Sequence, residues 1–256
     1  MNVIVDRLSR TYRDGQGQEI EALQAVSLRV ASREFVAVLG PSGCGKSTLL
    51  QVLAGLLAPS SGQVYFEGAP EGRPLTATVF QEFALFPWRT AQGNVEFGLE
   101  ELALPAAERA RRARHYIGLT GLAGFESRYP HQLSGGMRQR VGIARALAVD
   151  PAVLLMDEPF SALDAQTRQL MQEELLQIWE RTRTTIIYVT HNIQEAVYLA
   201  DRVVVLSRRP GRVLAEVPIE LPRPRVESMA AAPEFLHASE RIWALIKDQA
   251  REALVQ

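Results

Sequence analysis

Cysteine is nearly absent, with Cys44 the single one among 256 residues. One thiol excludes an internal disulfide framework and suits a reducing compartment. Long apolar runs are missing too. The most apolar long stretch, Val141–Met156, is broken by Arg145 and Asp150, so it lacks the purity of a membrane-spanning helix. The opening residues, MNVIVDRLSR, lack the basic-then-apolar order of a secretory leader. Charge of one sign does not accumulate either. A net charge of −1 leaves no basic footprint for nucleic acid as the main partner. No internal repeat is present. These absences predict a soluble, cytoplasmic chain whose membrane role, if it has one, comes through a partner. Core-forming residues are plentiful. At 47% hydrophobic, the chain can bury one α/β domain or a core with a subdomain.

Gly40, Pro41, Ser42, Gly43, Cys44, Gly45, Lys46 and Ser47 fit G-x-x-x-x-G-K-[ST] without a mismatch. The glycines allow consecutive N–H groups to curl inward as an anion-binding nest. Lys46 supplies an ammonium for β- and γ-phosphates, and Ser47 a hydroxyl that can ligate Mg²⁺. Glu34–Leu39 before the loop reads as a buried strand. Lys46–Leu57 after it reads as a helix whose positive end, with Thr48 in its first turn, would face the phosphates. The stretch is a nucleoside-triphosphate site. Cys44 lies inside it, so bound nucleotide is expected to shield the thiol from alkylation.

Other strand signals fall at Val3–Val5, Val26–Val30, Gln63–Phe66, Thr76–Phe80, Val153–Met156, Thr185–Thr190 and Arg202–Leu206. Helical patterns occupy much of 87–149, including a helix opened by Pro105, and recur near Gln166–Thr182 and Pro233–Leu254. Arg109, Arg111, Arg112 and Arg114 read as a solvated helix face. Strands alternating with helices around a phosphate loop imply a mostly parallel sheet with right-handed crossovers. The expected organisation is a nucleotide-binding core in 1–86 and 150–210. A helical subdomain, 87–149, interrupts it, and a connector and helix, 211–256, follow.

Val153–Met156 leads into Asp157 and Glu158, and a parallel strand presents its last side chains at the ligand-binding edge. Asp157 can hold the Mg²⁺ shell there. Glu158 can polarise water for attack on the γ-phosphate. His191 ends another such strand, where a γ-phosphate contact is expected. Leu133-Ser-Gly-Gly-Met137 opens a helix with Ser134 as N-cap, and such helix starts bind anions.

These motifs, in this order, resemble the ATP-binding subunit of an ABC transporter over residues 1–210. The set comprises the phosphate loop, Gln81 after a strand, LSGGM followed by RQR, LLMDEP, Ser161–Asp164 and His191. The resemblance implies a P-loop NTPase core with a mixed, mostly parallel sheet, an antiparallel β-subdomain and an inserted helical subdomain. It implies ATP and Mg²⁺, with Tyr12 stacked on adenine and Gln81 on the metal, relaying events to a membrane subunit. Glu158 would be the general base and His191 the γ-phosphate switch. Ser134, Gly135 and Gly136 would cap nucleotide bound to a second copy of the chain, with Asp164 on the same seam. Two transmembrane permease subunits would be partners, a solute-binding protein an indirect one, and the location the cytoplasmic face of the cell membrane. Phe80–Trp88, Asn94 and the Pro222–Arg225 segment look like the nitrate, sulfonate and taurine importers. An exporter or lipid-trafficking ATPase, or a soluble ABC-type ATPase outside transport, shares every catalytic residue and stays open at this point. Phe83, Leu85, Phe86 and Trp88 either pack the helical subdomain or line a groove for a permease helix.

Overall fold

The computed structural model describes residues 1–13, 15–69 and 71–253. In chain order its first half runs β1 (Asn2–Arg13), β2 (Glu19–Val30), β3 (Phe35–Leu39), α1 (Lys46–Leu53), β4 (Ser61–Glu67), β5 (Thr76–Val79), α2 (Ala91–Phe97) and α3 (Ala106–Leu119). There follow α4 (Gly135–Ala148), β6 (Val153–Asp157), α5 (Ala165–Thr182), β7 (Thr185–Thr190), α6 (Ile193–Leu199), β8 (Arg202–Leu206), β9 (Val213–Pro218) and α7 (Pro233–Ala253). The chain divides into two compact units, Met1–Ala69 with Thr185–Gln256, and Pro70–Thr184.

In the first unit, β1 pairs antiparallel with β2 and β4. Both β1 and β2 are 12 residues long, well beyond the expected Val3–Val5 and Val26–Val30. The reason lies in register shifts along the pair, near which Arg7 and Ala25 take positive φ of 46° and 47°. Such bulges break the two-residue alternation that a sequence reader relies on. A second sheet places β3 between β7 and β8, all parallel, with β9 antiparallel on the outside of β8. All five residues of β3 are buried, as the central strand of a covered parallel sheet requires. Register aligns Leu39 with Thr190 on one side and Val205 on the other. The carboxyl ends of three strands therefore meet at one edge. Helix α1 stops at Leu53, short of Leu57, with the Gln51 carbonyl taking the Leu56 and Leu57 amides at 2.9 and 3.2 Å. The last helix follows its expected start at Pro233; its expected end, Leu254, lies outside the described residues.

Helix α6 and strand β9 were not anticipated, and the proline-arginine segment explains how α6 is finished. Arg225 is buried, and its Nη1 lies 3.1, 2.9 and 2.8 Å from the carbonyls of Val197, Tyr198 and Ala200. Arg223 donates to the Leu199 carbonyl at 2.8 Å and to Asp201 Oδ1 at 2.9 Å. A cation on the orphan carbonyls of a helix end satisfies them and complements the helix dipole. Burial, aided by Arg223, pushes the Arg225 guanidinium down to about 10, still protonated at neutral pH. Arg225→Ala would strand several buried carbonyls, at roughly 3 kcal/mol, or about 6–12 °C in melting temperature for a chain of this size. Thermal unfolding followed by circular dichroism checks this, and an unchanged melting temperature would mean that water satisfies the carbonyls.

In the second unit, β5 and β6 pair in parallel, with Val79 beside Met156. Helices α2, α3 and α4 close on a dry cluster that includes Val95, Leu99, Ile117, Leu122, Val141 and Ala144. Pro105 is the residue before α3. On that helix Arg111 and Arg114 are exposed, as expected, while Arg109 and Arg112 are half-buried, and Arg109 donates to the Leu104 carbonyl at 2.8 Å. The sheets and helices give the expected α/β class with an antiparallel β part. Among the described residues, no helix is long and apolar enough to cross a membrane.

Candidate nucleotide site

The first unit carries the phosphate loop, Tyr12 and His191. Between β3 and α1 the chain makes its turn through Gly45, whose φ of 99° lies in the region that disfavours side chains. A Cβ there would also lie 2.7 Å from the Ala22 carbonyl oxygen. Lys46 is 5% exposed, and its Nζ donates to the carbonyls of Gly40 at 2.9 Å and Pro41 at 3.0 Å. The ammonium is thus held against the carbonyls of its own loop. Ser42, Gly43 and Ser47 face solvent, and Ser47 sits in the first turn of α1 beside Thr48. Tyr12 reaches this turn, its hydroxyl 3.3 Å from Thr48 Oγ1, while the Arg10 guanidinium lies 4.9 Å from its ring centroid. Cys44 is only 1% exposed. The fold itself therefore shields the thiol before any nucleotide binds, which is more than its position in the loop had suggested.

His191 follows β7 at the edge where Gly40 follows β3, so register brings the two together. It is exposed, and the turn beneath it is rigidly made. Thr190 Oγ1 donates to Glu195 and accepts the Asn192 amide at 3.0 Å. Asn192 Oδ1 accepts the Glu195 amide at 3.2 Å, capping α6. Thr190, Asn192 and Glu195 shape the turn beneath His191, and sequence reasoning passed over them. The signal was there in the Asn-x-x-Glu spacing of a capping box.

The second unit carries the carboxylates. Parallel pairing of β5 with β6 sets Phe80 and Gln81 alongside Asp157 and Glu158. Gln81 Nε2 donates to Ser161 Oγ at 3.2 Å, and Ser161 Oγ donates to the Glu158 carbonyl at 3.0 Å. Asp157 and Glu158 are half-buried. Glu158 has a φ of 43°, a left-handed conformation that costs a side-chain-bearing residue about 1–2 kcal/mol. Such strain persists where the surroundings enforce it, and it clusters at functional sites.

The LSGGM turn and the Ser161–Asp164 segment also meet in this unit. Ser134 caps α4, accepting the Met137 amide at 3.3 Å. Asp164 caps α5, accepting the Thr167 amide at 3.0 Å, a bond that lowers the pKa of its carboxyl. A Cβ on Gly136 would come within 3.0 Å of Thr167 Cγ2, and one on Gly135 within 3.5 Å of Leu163. Two capped helix starts thus lie side by side.

Downstream of Gln81, the four large apolar residues divide between the two readings. Leu85 packs on the helical core. The Phe83 ring lies under Arg138, 5.0 Å away, beside a cavity of about 680 Å³ bordered by Gln81–Leu85, Pro130 and Ala162. Phe86 packs edge-on to Phe97 at 4.5 Å, and Trp88 stands 71% exposed. Asn94, fully buried, accepts the Phe86 amide at 2.7 Å and donates to the carbonyls of Phe86, Arg89 and Thr90. Arg145 donates to the Ala84 carbonyl at 2.6 Å. These two side chains hold the loop in shape.

A glycine nest with a lysine folded into it and a histidine at the same sheet edge define a P-loop nucleotide-hydrolase core. The sequence model of the ABC transporter family matches residues 23–161. The chain is 43% identical over 256 residues to the taurine import ATP-binding protein TauB of Pseudomonas entomophila, covering 97% of this chain and 98% of that one. It is 42% identical over 260 residues to the nitrate import ATP-binding protein NrtD of a Synechocystis strain, covering 98% and 97%. A dimeric ATP-binding cassette solved in a post-hydrolysis state with ADP and Pi superimposes with a TM-score of 0.73 at 34% identity, covering 86% of this chain and all of that one. The chain belongs to the ABC transporter family, and it is an ATP-hydrolysing subunit of that family.

Proposed function

We propose that this subunit powers import of a small anion of the taurine, sulfonate or nitrate type. Two copies sandwich two ATP molecules at the cytoplasmic face of the membrane, beneath two permease subunits, and a separate binding protein delivers the solute. The near full-length likeness to a taurine and a nitrate import protein supports the solute class. The observation that carries the mechanism is the chain from Gln81 through Ser161 to the backbone carbonyl of Glu158, which ties a residue outside the loop to the main chain of a residue held in a strained conformation.

In this reading the loop amides of Gly40–Thr48 and Lys46 bind the β- and γ-phosphates, Tyr12 stacks on the adenine, and His191 grips the γ-phosphate. Glu158 takes the proton of the attacking water. Mg²⁺, when bound, neutralises charge on the phosphate oxygens, and Ser47, Gln81 and Asp157 would hold it. That oxygen donor set suits a hard cation. Among the described residues, no group of three or more His, Cys, Asp and Glu side chains is placed to hold a metal ion by itself. Ser134, Gly135 and Gly136 approach the γ-phosphate held by the other copy, with Asp164 at the seam. The helical segment 87–149 carries this signature between the core parts 1–86 and 150–210, and 211–256 forms the connector and last helix.

The test is purification of the chain with its membrane partners, followed by ATPase assays with the binding protein loaded with taurine, a sulfonate or nitrate. Stimulation of several-fold by one of these anions is the expected result. Co-purification with a permease whose ATPase ignores every loaded binding protein would instead indicate export. Recovery on ribosomes or an assembly scaffold would remove transport altogether.

A further inference from the structure

The edge that presents Gly40 and His191 also presents the end of β8, where Ser207-Arg-Arg-Pro-Gly-Arg212 leads into β9. No catalytic role falls to this hairpin in the mechanism above. Yet it is a tightly made loop. Ser207 N donates to the Arg212 carbonyl, and Ser207 Oγ accepts the Arg212 amide, each at 2.9 Å. The same hydroxyl lies 2.9 Å from the carbonyls of Arg208 and Pro210. Gly211 is tied to β2, donating to the Ala22 carbonyl at 2.9 Å and accepting the Gln24 amide at 3.0 Å. A Cβ on Gly211 would fall 2.1 Å from the Cys44 carbonyl oxygen. The hairpin is therefore pressed directly against the back of the phosphate loop.

From that position Arg209 extends along the loop, and its Nε donates to the Gly43 carbonyl at 3.2 Å. That carbonyl shares a planar peptide with the Cys44 N–H, so a bond that fixes one fixes the direction of the other. Gly43 has a φ of 73°, and a glycine peptide in that region turns over easily. We propose that Arg209 is a positioning residue for nucleotide binding, holding the Gly43–Cys44 peptide so that the loop keeps its phosphate-binding shape. Arg209 works as a clasp from outside the nest, while Lys46 and the loop amides make the phosphate contacts. The proposal rests on the reading of Gly40–Thr48 as the phosphate site.

The single thiol supplies a readout that does not depend on turnover. Cys44 belongs to the clasped peptide and is buried, so loosening the loop should expose it. In the full-length chain, Arg209→Ala is expected to raise the rate of Cys44 alkylation by N-ethylmaleimide roughly tenfold without nucleotide, the factor that corresponds to losing one charge-assisted hydrogen bond. The KM for Mg·ATP and the dissociation constant for ADP should each rise about five- to tenfold, with kcat at saturation within about twofold, the pattern of lost uniform binding. Arg209→Lys can still donate to one carbonyl and should recover most of both effects. Arg212→Ala removes the same charge from the same hairpin without touching Gly43, and should behave as wild type. Wild-type thiol reactivity and affinity in Arg209→Ala would overturn the proposal, as would an equal effect of Arg212→Ala, which would make net charge the cause. Failure of the wild-type chain to bind ATP would overturn the phosphate-site reading itself, a separate outcome.

Discussion

Glu158→Gln binds Mg·ATP with near wild-type affinity and hydrolyses it about 10²–10⁴ times more slowly, the usual loss when a positioned general base is removed. The amide keeps the size and shape of the carboxylate, so the left-handed turn at Glu158 and the Ser161 contact to its backbone carbonyl are retained. In the proposed mechanism, ground-state contacts to phosphate come from Lys46 and the loop amides, which the substitution does not touch. The loss therefore falls on kcat and leaves binding intact. If two copies close on intact ATP, as proposed, the variant also accumulates as an ATP-bound dimer, visible as a shift on a sizing column that ADP does not produce. Single-turnover measurement with pre-bound ATP isolates the chemical step from product release. Turnover at the wild-type rate would assign the base elsewhere, and Asp157 or His191 would then have to carry the proton.

Legibility in the sequence followed how local each signal is. The glycine-rich loop and the LLMDEP strand are continuous segments set by consecutive residues, and the strand–turn–helix at 35–53 and the strand at Val153–Asp157 lie where they were read. The LSGGM turn was read as a capped helix start, and Ser134 Oγ does accept the Met137 amide. What stayed hidden depends on distant backbone. Asn94 served in the sequence only as a likeness to the nitrate, sulfonate and taurine importers, and its structural part appears once its side chain is seen meeting the backbone of Phe86, Arg89 and Thr90. The two arginines of Pro222–Arg225 served only as a likeness to other importers. Their role as the cap of α6 requires that a segment some twenty-five residues downstream return to Val197–Ala200. Strands β1 and β2 were undersized because bulges at Arg7 and Ala25 reset the alternation partway along. Helix α6 was missed because seven residues span only about two turns, too few for a 3.6-residue period to show.

Trp88→Ala leaves the isolated subunit folded and able to bind ATP, yet weakens its assembly with the proposed permease partner by roughly thirtyfold, the equivalent of about 2 kcal/mol. At 71% exposure the indole is hardly part of the core, so its removal opens no cavity and strands no polar group. What holds it out is a built platform. Phe86 supports it with ring centroids 5.4 Å apart, Phe97 backs Phe86, and Asn94 locks the backbone between them through four hydrogen bonds. Ordering a large apolar ring in water has no stability to recommend it, and aromatic anchors of this kind dominate many interfaces. The loop that leads into the platform, Gln81–Leu85, borders the cavity, so in the proposed complex a permease helix seated there would touch the residue that is hydrogen-bonded toward Glu158. Phe86→Ala combines the same interface loss with a modest drop in melting temperature, because Phe86 also packs on Phe97. Asn94→Ala keeps every aromatic but frees the loop, and it should lose assembly as well while unfolding several degrees earlier. Pull-down of each variant with the permease in detergent, read beside the melting temperature of the free subunit, separates docking from folding. Normal assembly by Trp88→Ala and Phe86→Ala together would remove the platform from the interface and return these side chains to a packing role.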